Sequence, residues 1–301
     1  MSISLQASKG RGEPHEHTLF YGPPGLGKTT FANVIANEMG TNLVATSGPA
    51  LDRTGDLMGV LTNLEHGDVL FIDEIHRLPR VIEEFIYPAM EDFHVDFMVD
   101  KGAFAKTIKV ELKPFTLVGA TTRAGFLTAP FRERFGIYHY LDFYPPEEIA
   151  QIVARSARLL KMDVDQDAID QVAVRARGTP RVANRLLRRV RDFADVKHDG
   201  RVKGEIALKA LDLEGIDPMG LDELDRKFLR IIIENYGGGP VGVGAISAAL
   251  NEETETLEDM VEPYLLKIAF LRRTQRGRVA AAKAFEHLGI KRGTDSQGKL
   301  F

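Results

Sequence analysis

Along the first half of the chain, short apolar runs alternate with stretches whose apolar residues recur every three or four positions. Residues 19–21, 69–72, 116–120 and 139–143 read as strands. The unbroken Val-Leu-Phe-Ile of 69–72 is the kind of run that a parallel sheet buries on both faces. Residues 31–39, with Val34, Ile35 and Met39 on one side, read as a helix. Strands alternating with helices predict a doubly wound parallel α/β sheet with its ligands at the strand carboxyl ends.

Two departures from that rhythm stand out. Between 95 and 112, Val95, Phe97 and Val99 alternate with polar residues before Asp100-Lys101-Gly102, and Ile108, Val110 and Leu112 alternate after it, which predicts a β-hairpin. Pro145-Pro146 then ends the alternation and the chain turns helical. Near the C-terminus, helices are expected over 222–236, 243–250 and 257–268, followed by short strands at 270–274 and 278–280 around Gly277. Three helices and a basic hairpin make a winged helix.

Composition narrows the class. The 301 residues, 44% hydrophobic and 27% charged, suit a globular chain of two or three domains. The absence of cysteine excludes a disulfide framework and thiolate metal sites. No apolar run approaches the roughly 20 residues that span a bilayer, and residues 1–14 hold no apolar signal core. A cytoplasmic location with no membrane partner is therefore expected. A net charge of −4 confines any nucleic-acid contact to local patches. Seven arginines lie between Arg175 and Arg191, and from Lys267 to Arg292 only Glu286 is acidic. Charge runs on helices are usually solvated faces, so their place in the architecture must decide.

The chemistry begins at Gly22-Pro23-Pro24-Gly25-Leu26-Gly27-Lys28-Thr29, a complete G-x-x-x-x-G-K-T loop between strand and helix. Its glycines let backbone N–H groups turn inward around phosphate oxygens at a helix N-terminus. Gly22, Pro23, Gly25, Leu26, Gly27, Lys28, Thr29 and Thr30 are the expected nucleotide contacts. Lys28 would reach the β- and γ-phosphates, and the Thr29 hydroxyl would ligate Mg²⁺. Asp73 and Glu74 emerge where the 69–72 strand ends, Asp73 to hold Mg²⁺ and Glu74 to orient and polarise the water that attacks a bound nucleoside triphosphate. Thr121-Thr122 place a hydroxyl between these elements, and Tyr144 joins the expected nucleotide contacts. Arg134 stands too near the sheet's edge to reach its own phosphates, but it could reach a neighbour's. Asp73-Glu74-Ile75-His76 superficially matches a helicase D-E-x-H box, and Gln275-Arg276-Gly277-Arg278 part of an arginine-rich helicase motif; the latter reads better as a turn.

Together these strings resemble the AAA+ ATPases, with Gly22 to Thr29, Val69 to Glu74, Thr122, Arg134-Phe135-Gly136 and Gly178-Thr179-Pro180-Arg181 in the expected order. The likeness narrows to the RuvB family of bacterial Holliday-junction branch-migration motors. It does so through Thr46-Ser47-Gly48-Pro49-Ala50, Asp73-Glu74-Ile75-His76-Arg77-Leu78, Tyr87-Pro88-Ala89-Met90-Glu91-Asp92-Phe93, Gly119-Ala120-Thr121-Thr122-Arg123, Gly237-Gly238-Gly239-Pro240-Val241-Gly242 and Glu262-Pro263-Tyr264-Leu265. The resemblance implies an AAA+ large domain over 1–145, an all-α lid over 146–217 and a winged-helix DNA-binding domain over 218–301. It implies that Thr122 is sensor 1, Arg134 an arginine finger given in trans and Arg181 sensor 2. Arg272, Arg273, Arg276 and Arg278 would then meet the phosphate backbone of junction or duplex DNA without reading sequence. Implied partners are a RuvA-like junction-recognition protein, docked on the apolar hairpin tip around Met98, Val99 and Phe104, further copies forming a hexamer, and a RuvC-like resolvase. The setting implied is recombination, DNA repair and the SOS response. The family also carries a stretch ahead of the phosphate loop that helps hold adenine; residues 1–11 show no counterpart, so an N-terminally shortened form is expected. From the site residues alone, a clamp-loader-like or protein-remodelling ATPase, and a nucleotide-gated DNA-binding switch with little turnover, remain open.

Overall fold

The computed structural model describes residues 1–98 and 107–291. The chain divides into two compact units, 1–142 and the remainder from Phe143.

The first unit opens with helix α1 (Ser2–Arg11), which the sequence reading did not anticipate. Its sparse apolar residues bury only Leu5 and Ser8, and Gly12 at φ 69° ends it. There follow β1 (Thr18–Tyr21), α2 (Lys28–Met39), β2 (Leu43–Ser47), α3 (Thr54–Thr62), β3 (Val69–Asp73) and α4 (Arg80–Glu91). β4 (His94–Met98) and β5 (Thr107–Glu111) pair antiparallel as the expected hairpin. Its expected tip at Val99 and Phe104 lies outside the described residues, as does the side chain of Met98. β6 (Thr116–Thr121), α5 (Ala129–Glu133) and β7 (Ile137–Tyr140) complete the unit.

Five of the strands form one parallel sheet in the order β2-β3-β6-β1-β7. Successive strand residues feed cores on opposite faces. Leu19, Leu70, Ile72 and Leu117 join one with the apolar side of α4, while Phe20, Val69, Phe71 and Val118 join the other beneath α2. This two-sided burial is why the strands read as unbroken apolar runs rather than alternations. The last strand was expected at 139–143 but runs 137–140. It is an edge strand with Tyr138 and Tyr140 exposed, and its register to β1 (Thr18↔Ile137) draws it forward. Periodicity alone does not carry that pairing.

The second unit holds two apolar cores. The first is helical: α6 (Pro146–Leu159), α7 (Gln166–Arg175), α8 (Pro180–Lys197) and α9 (Gly204–Leu213) enclose Ile149, Val153, Leu186, Val190 and Leu211, with β8 (Asp163–Val164) and β9 (Arg201–Val202) as a short parallel pair. The second gathers Phe228, Ile232, Ile246, Leu257, Leu265 and Phe285. Around it stand α10 (Glu223–Arg230), which continues as a wider turn through Asn235, and α11 (Val243–Leu250). Next, α12 (Thr254–Thr256) leads through another wide turn into α13 (Glu262–Lys267). β10 (Leu271–Thr274) and β11 (Gly277–Ala280) form the wing.

Gly277 lies in the strand rather than the turn. A Cβ there would stand 2.3 Å from the Val241 carbonyl oxygen, so only glycine lets Val241 bridge to Arg278. A closing helix, α14 (Ala282–Leu288), buries Ala284 and Phe285 and was not anticipated. Its sequence signal is the alanine-rich run capped by Gly289 at φ 67°.

Candidate functional site

Between β1 and α2 the phosphate loop takes conformations that only glycine adopts readily: φ is 140° at Gly22, 81° at Gly25 and 96° at Gly27. A Cβ on Gly22 would sit 2.2 Å from the carbonyl oxygen of Leu141, the residue after β7, so the chain leaving that strand closes over the loop's start. The first helical bond of α2 runs from Phe31 N–H to Gly27 O at 3.0 Å. The N–H groups of Lys28, Thr29 and Thr30 therefore have no acceptor within the helix, the arrangement that favours an anion. Leu26 is buried beneath, Thr29 and Thr30 are exposed, and the largely buried Lys28 donates from Nζ to the carbonyl oxygens of Gly22 and Pro23, each at 2.9 Å.

The sheet order sets the rest of this surface. β6 lies between β1 and β3, so Thr122, just past its end, emerges between the loop and the Asp73-Glu74 pair. Glu74 adopts φ 48°, and its N–H donates to Asp73 Oδ1 at 3.0 Å. Gly48 makes that turn possible, since a Cβ there would stand 2.5 Å from the Glu74 carbonyl oxygen.

His76, passed over in sequence as a false helicase signal, sits inside this set. Its Nδ1 is 3.3 Å from Glu74 Oε2 and 2.9 Å from Thr121 Oγ1, and Thr121 Oγ1 also accepts the Arg123 N–H. The ring thus links Glu74 to the end of β6. Its signal was the Asp-Glu-Ile-His string itself, since a turn after Glu74 returns the third residue to the sheet's end.

Just ahead of β1, His17 is half-buried, and desolvation lowers its pKa despite the Met90 carbonyl. Nδ1 accepts the Leu117 N–H at 2.9 Å, which leaves the proton on Nε2 for Met90 O at 3.0 Å. This neutral imidazole ties β6 to the end of α4.

Arg134 follows α5, whose N-terminus is capped by Thr128. Its side chain is 21% exposed; Nη1 donates to Pro130 O at 2.6 Å, Nη2 lies 3.0 Å from Glu91 Oε1, and the guanidinium carbon stands 4.0 Å from the centre of the Tyr87 ring. The exposed hairpin face on β4 and β5 presents Phe97 paired across to Ile108.

In the second unit, Arg181 is exposed in the first turn of α8, and the Tyr144 N–H donates to Gly178 O at 2.9 Å. Arg185, Arg188 and Arg189 line the solvated face of α8, while Arg175 and Arg177 turn inward. Arg177 Nη2 is 2.9 Å from Asp222 Oδ2 and 2.5 Å from Asp225 Oδ2, with the Tyr264 ring beside it. Burial pushes the Asp225 carboxyl up to about 7 against the pull of Arg177. Burial also acts to raise Asp222, but Arg177 and the hydrogen bonds with Asp225 outweigh it and hold that carboxyl below its ordinary range.

The four wing arginines separate into two kinds. Arg272, Arg273 and Arg276 are exposed. Arg278 is 16% exposed and pairs with Glu258 at 2.7 Å and Glu262 at 2.8 Å; Glu262 is fully buried and also holds Arg273 at 2.5 Å. Arg278 therefore packs the wing onto α13, while Arg273 shares the Glu262 anchor with its side chain still 49% exposed.

Among the described residues no helix is long and apolar enough to cross a membrane. Three family models match the chain in succession: the Holliday junction DNA helicase RuvB P-loop domain over 1–141, the RuvB AAA lid domain over 144–217 and the RuvB C-terminal winged helix domain over 218–289. Among solved structures, the RuvB Holliday junction branch migration motor of Thermotoga maritima is 50% identical, with 96% of this chain covering 92% of that one at a TM-score of 0.87. A variant of the same protein gives 49% identity, 96% and 92% coverage and a TM-score of 0.89. The FIGL-1 AAA domain in complex with ADP, 19% identical with 77% and 84% coverage and a TM-score of 0.50, shares the fold alone.

Proposed function

The chain belongs to the RuvB family of ATP-driven Holliday-junction branch-migration motors, and from that premise we propose how its residues divide the work. The observation that carries the reading is the succession of the three RuvB domains on a chain whose phosphate loop, Asp73-Glu74 and Thr122 meet at one end of the sheet.

Lys28 and the N–H groups that open α2 hold the β- and γ-phosphates of ATP. The residues fit Mg²⁺: the Thr29 hydroxyl and the Asp73 carboxylate are hard oxygen donors, of the few that this ion takes alongside substrate phosphates. When bound, the ion supplies neutralisation of phosphate charge. Glu74, held by His76, orients and polarises the attacking water. Thr122 and Arg181 respond to the γ-phosphate, Tyr144 lies along the nucleotide, and Arg134 completes the site of a neighbouring copy. The unit at work is a hexamer, and hydrolysis between its subunits moves the DNA held at the wing by exposed Arg272, Arg273 and Arg276, with Arg278 beside them. The hairpin bearing Phe97 and Ile108 docks a RuvA-like junction-recognition protein. A RuvC-like resolvase joins the larger assembly, in the cytoplasm, during recombination, repair and the SOS response.

ATP turnover measured with and without four-way junction DNA and a RuvA-like partner tests this division. Junction-stimulated turnover accompanied by strand exchange is expected. Turnover indifferent to the junction, with no exchange, would favour a clamp-loader-like or protein-remodelling ATPase.

A further inference from the structure

Glu83, Tyr87 and Glu91 recur at every fourth position of α4, so they form one stripe on the helix face. That stripe follows α5 from end to end. Glu83 is a buried carboxylate; it accepts the Tyr87 hydroxyl at 2.7 Å and the hydroxyl of Thr128, the residue that caps the N-terminus of α5. The Tyr87 hydroxyl also lies 3.3 Å from Thr128 Oγ1, and burial raises its pKa, so the phenol stays neutral. At the other end, the Tyr87 ring lies under the Arg134 guanidinium at 4.0 Å and Glu91 pairs with its Nη2.

A free arginine side chain samples many rotamers, and an effective electrostatic catalyst must be aimed before the charge develops. Here the base of α5 is tied by Glu83, the plane of the guanidinium by Tyr87, and one edge by Glu91. Phe131, buried between the anchors, packs against Tyr87 and Phe135. We propose that this stripe of α4 positions Arg134 for the neighbouring copy's site, with the face of Tyr87 as its platform. The inference rests on the reading of Arg134 as a finger given in trans.

The test measures ATP hydrolysis by assembled rings on junction DNA. Tyr87→Leu and Tyr87→Met, which lack an aromatic face, should lower kcat roughly tenfold with KM for ATP little changed. Tyr87→Phe keeps that face and should retain most of the rate. Each deficient variant is then mixed with Glu74→Gln protein, which keeps its finger but not its water-polarising carboxylate. Arg134→Ala, Tyr87→Leu and Tyr87→Met should all regain turnover in the mixture, because the partner supplies a positioned arginine. If Arg134→Ala recovers but neither Tyr87 variant does, or if Tyr87→Phe falls as far as Tyr87→Leu, or if all three Tyr87 variants keep the native kcat, the positioning role is overturned. If Arg134→Ala itself fails to recover, the trans reading falls and takes this proposal with it.

Discussion

The phosphate loop of the first unit and the wing of the second are both short, Gly-containing and cationic, yet their charges are organised differently. In the loop, Lys28 is buried against the carbonyls of Gly22 and Pro23, contacts made within a seven-residue span of chain. In the wing, similar-looking arginines separate: Arg272 and Arg276 face solvent, Arg273 stays half exposed while touching Glu262, and Arg278 turns in against Glu262, which lies 11 and 16 positions before these two. Burying a carboxylate is costly unless it is paired, so Glu262 draws Arg278 inward and holds one edge of Arg273. The difference teaches that a local motif states its own geometry, whereas a basic run states only a charge until its acidic partners are placed.

The largest break should come at the loop. Lys28→Ala should weaken ATP binding by about 100-fold or more, measured by titration with a fluorescent nucleotide, while leaving DNA affinity of the winged helix little changed. Next comes the anchor of the wing. Glu262→Ala leaves Arg278 with Glu258 alone and Arg273 without its carboxylate, and should destabilise the second unit by about 1–2 kcal/mol, read from urea unfolding.

Arg272→Ala with Arg276→Ala sharpens the contrast. This pair should leave the melting temperature unchanged, yet weaken DNA binding several-fold and flatten the slope of log affinity against log salt by roughly 0.9 for each phosphate no longer neutralised. Equal loss of stability in both experiments would erase the distinction between anchor and DNA-binding cation.

The smallest effect is in pH. With its folded pKa raised from 3.8 to about 7, Asp225 binds its proton more tightly in the folded state. Its contribution is therefore complete below about pH 4 and is lost as pH rises towards 7. Asp222, held low, works in the opposite sense, losing its contribution only in acid below its ordinary value. Asp225→Asn should flatten the decline between about pH 4 and 7, checked by melting across that range.

The same contrast explains how much was legible from the chain. The parallel sheet could be read because its strands are buried on both faces, and the phosphate loop because its spacing is itself the geometry. The strand-end pair Asp73-Glu74 followed from the apolar run ahead of it. β7 was misplaced because an edge strand is positioned by its pairing with β1, and α1 was missed because only Leu5 and Ser8 are buried there. His76 and Tyr87 escaped for a different reason. Each touches its partner through a fold contact, Thr121 in one case and Arg134 in the other, across more than 40 residues of chain. The sequence offered their strings without their partners.

The central claim is that hydrolysis at the sheet's end drives DNA movement through the winged helix. Strand exchange of a labelled four-way junction, compared between the native protein and Glu74→Gln, tests it most directly. Both should bind ATP and junction with similar affinity, but only the native protein should convert the junction, with the variant slower by about 10²- to 10⁴-fold. Conversion by Glu74→Gln at the native rate would contradict the account.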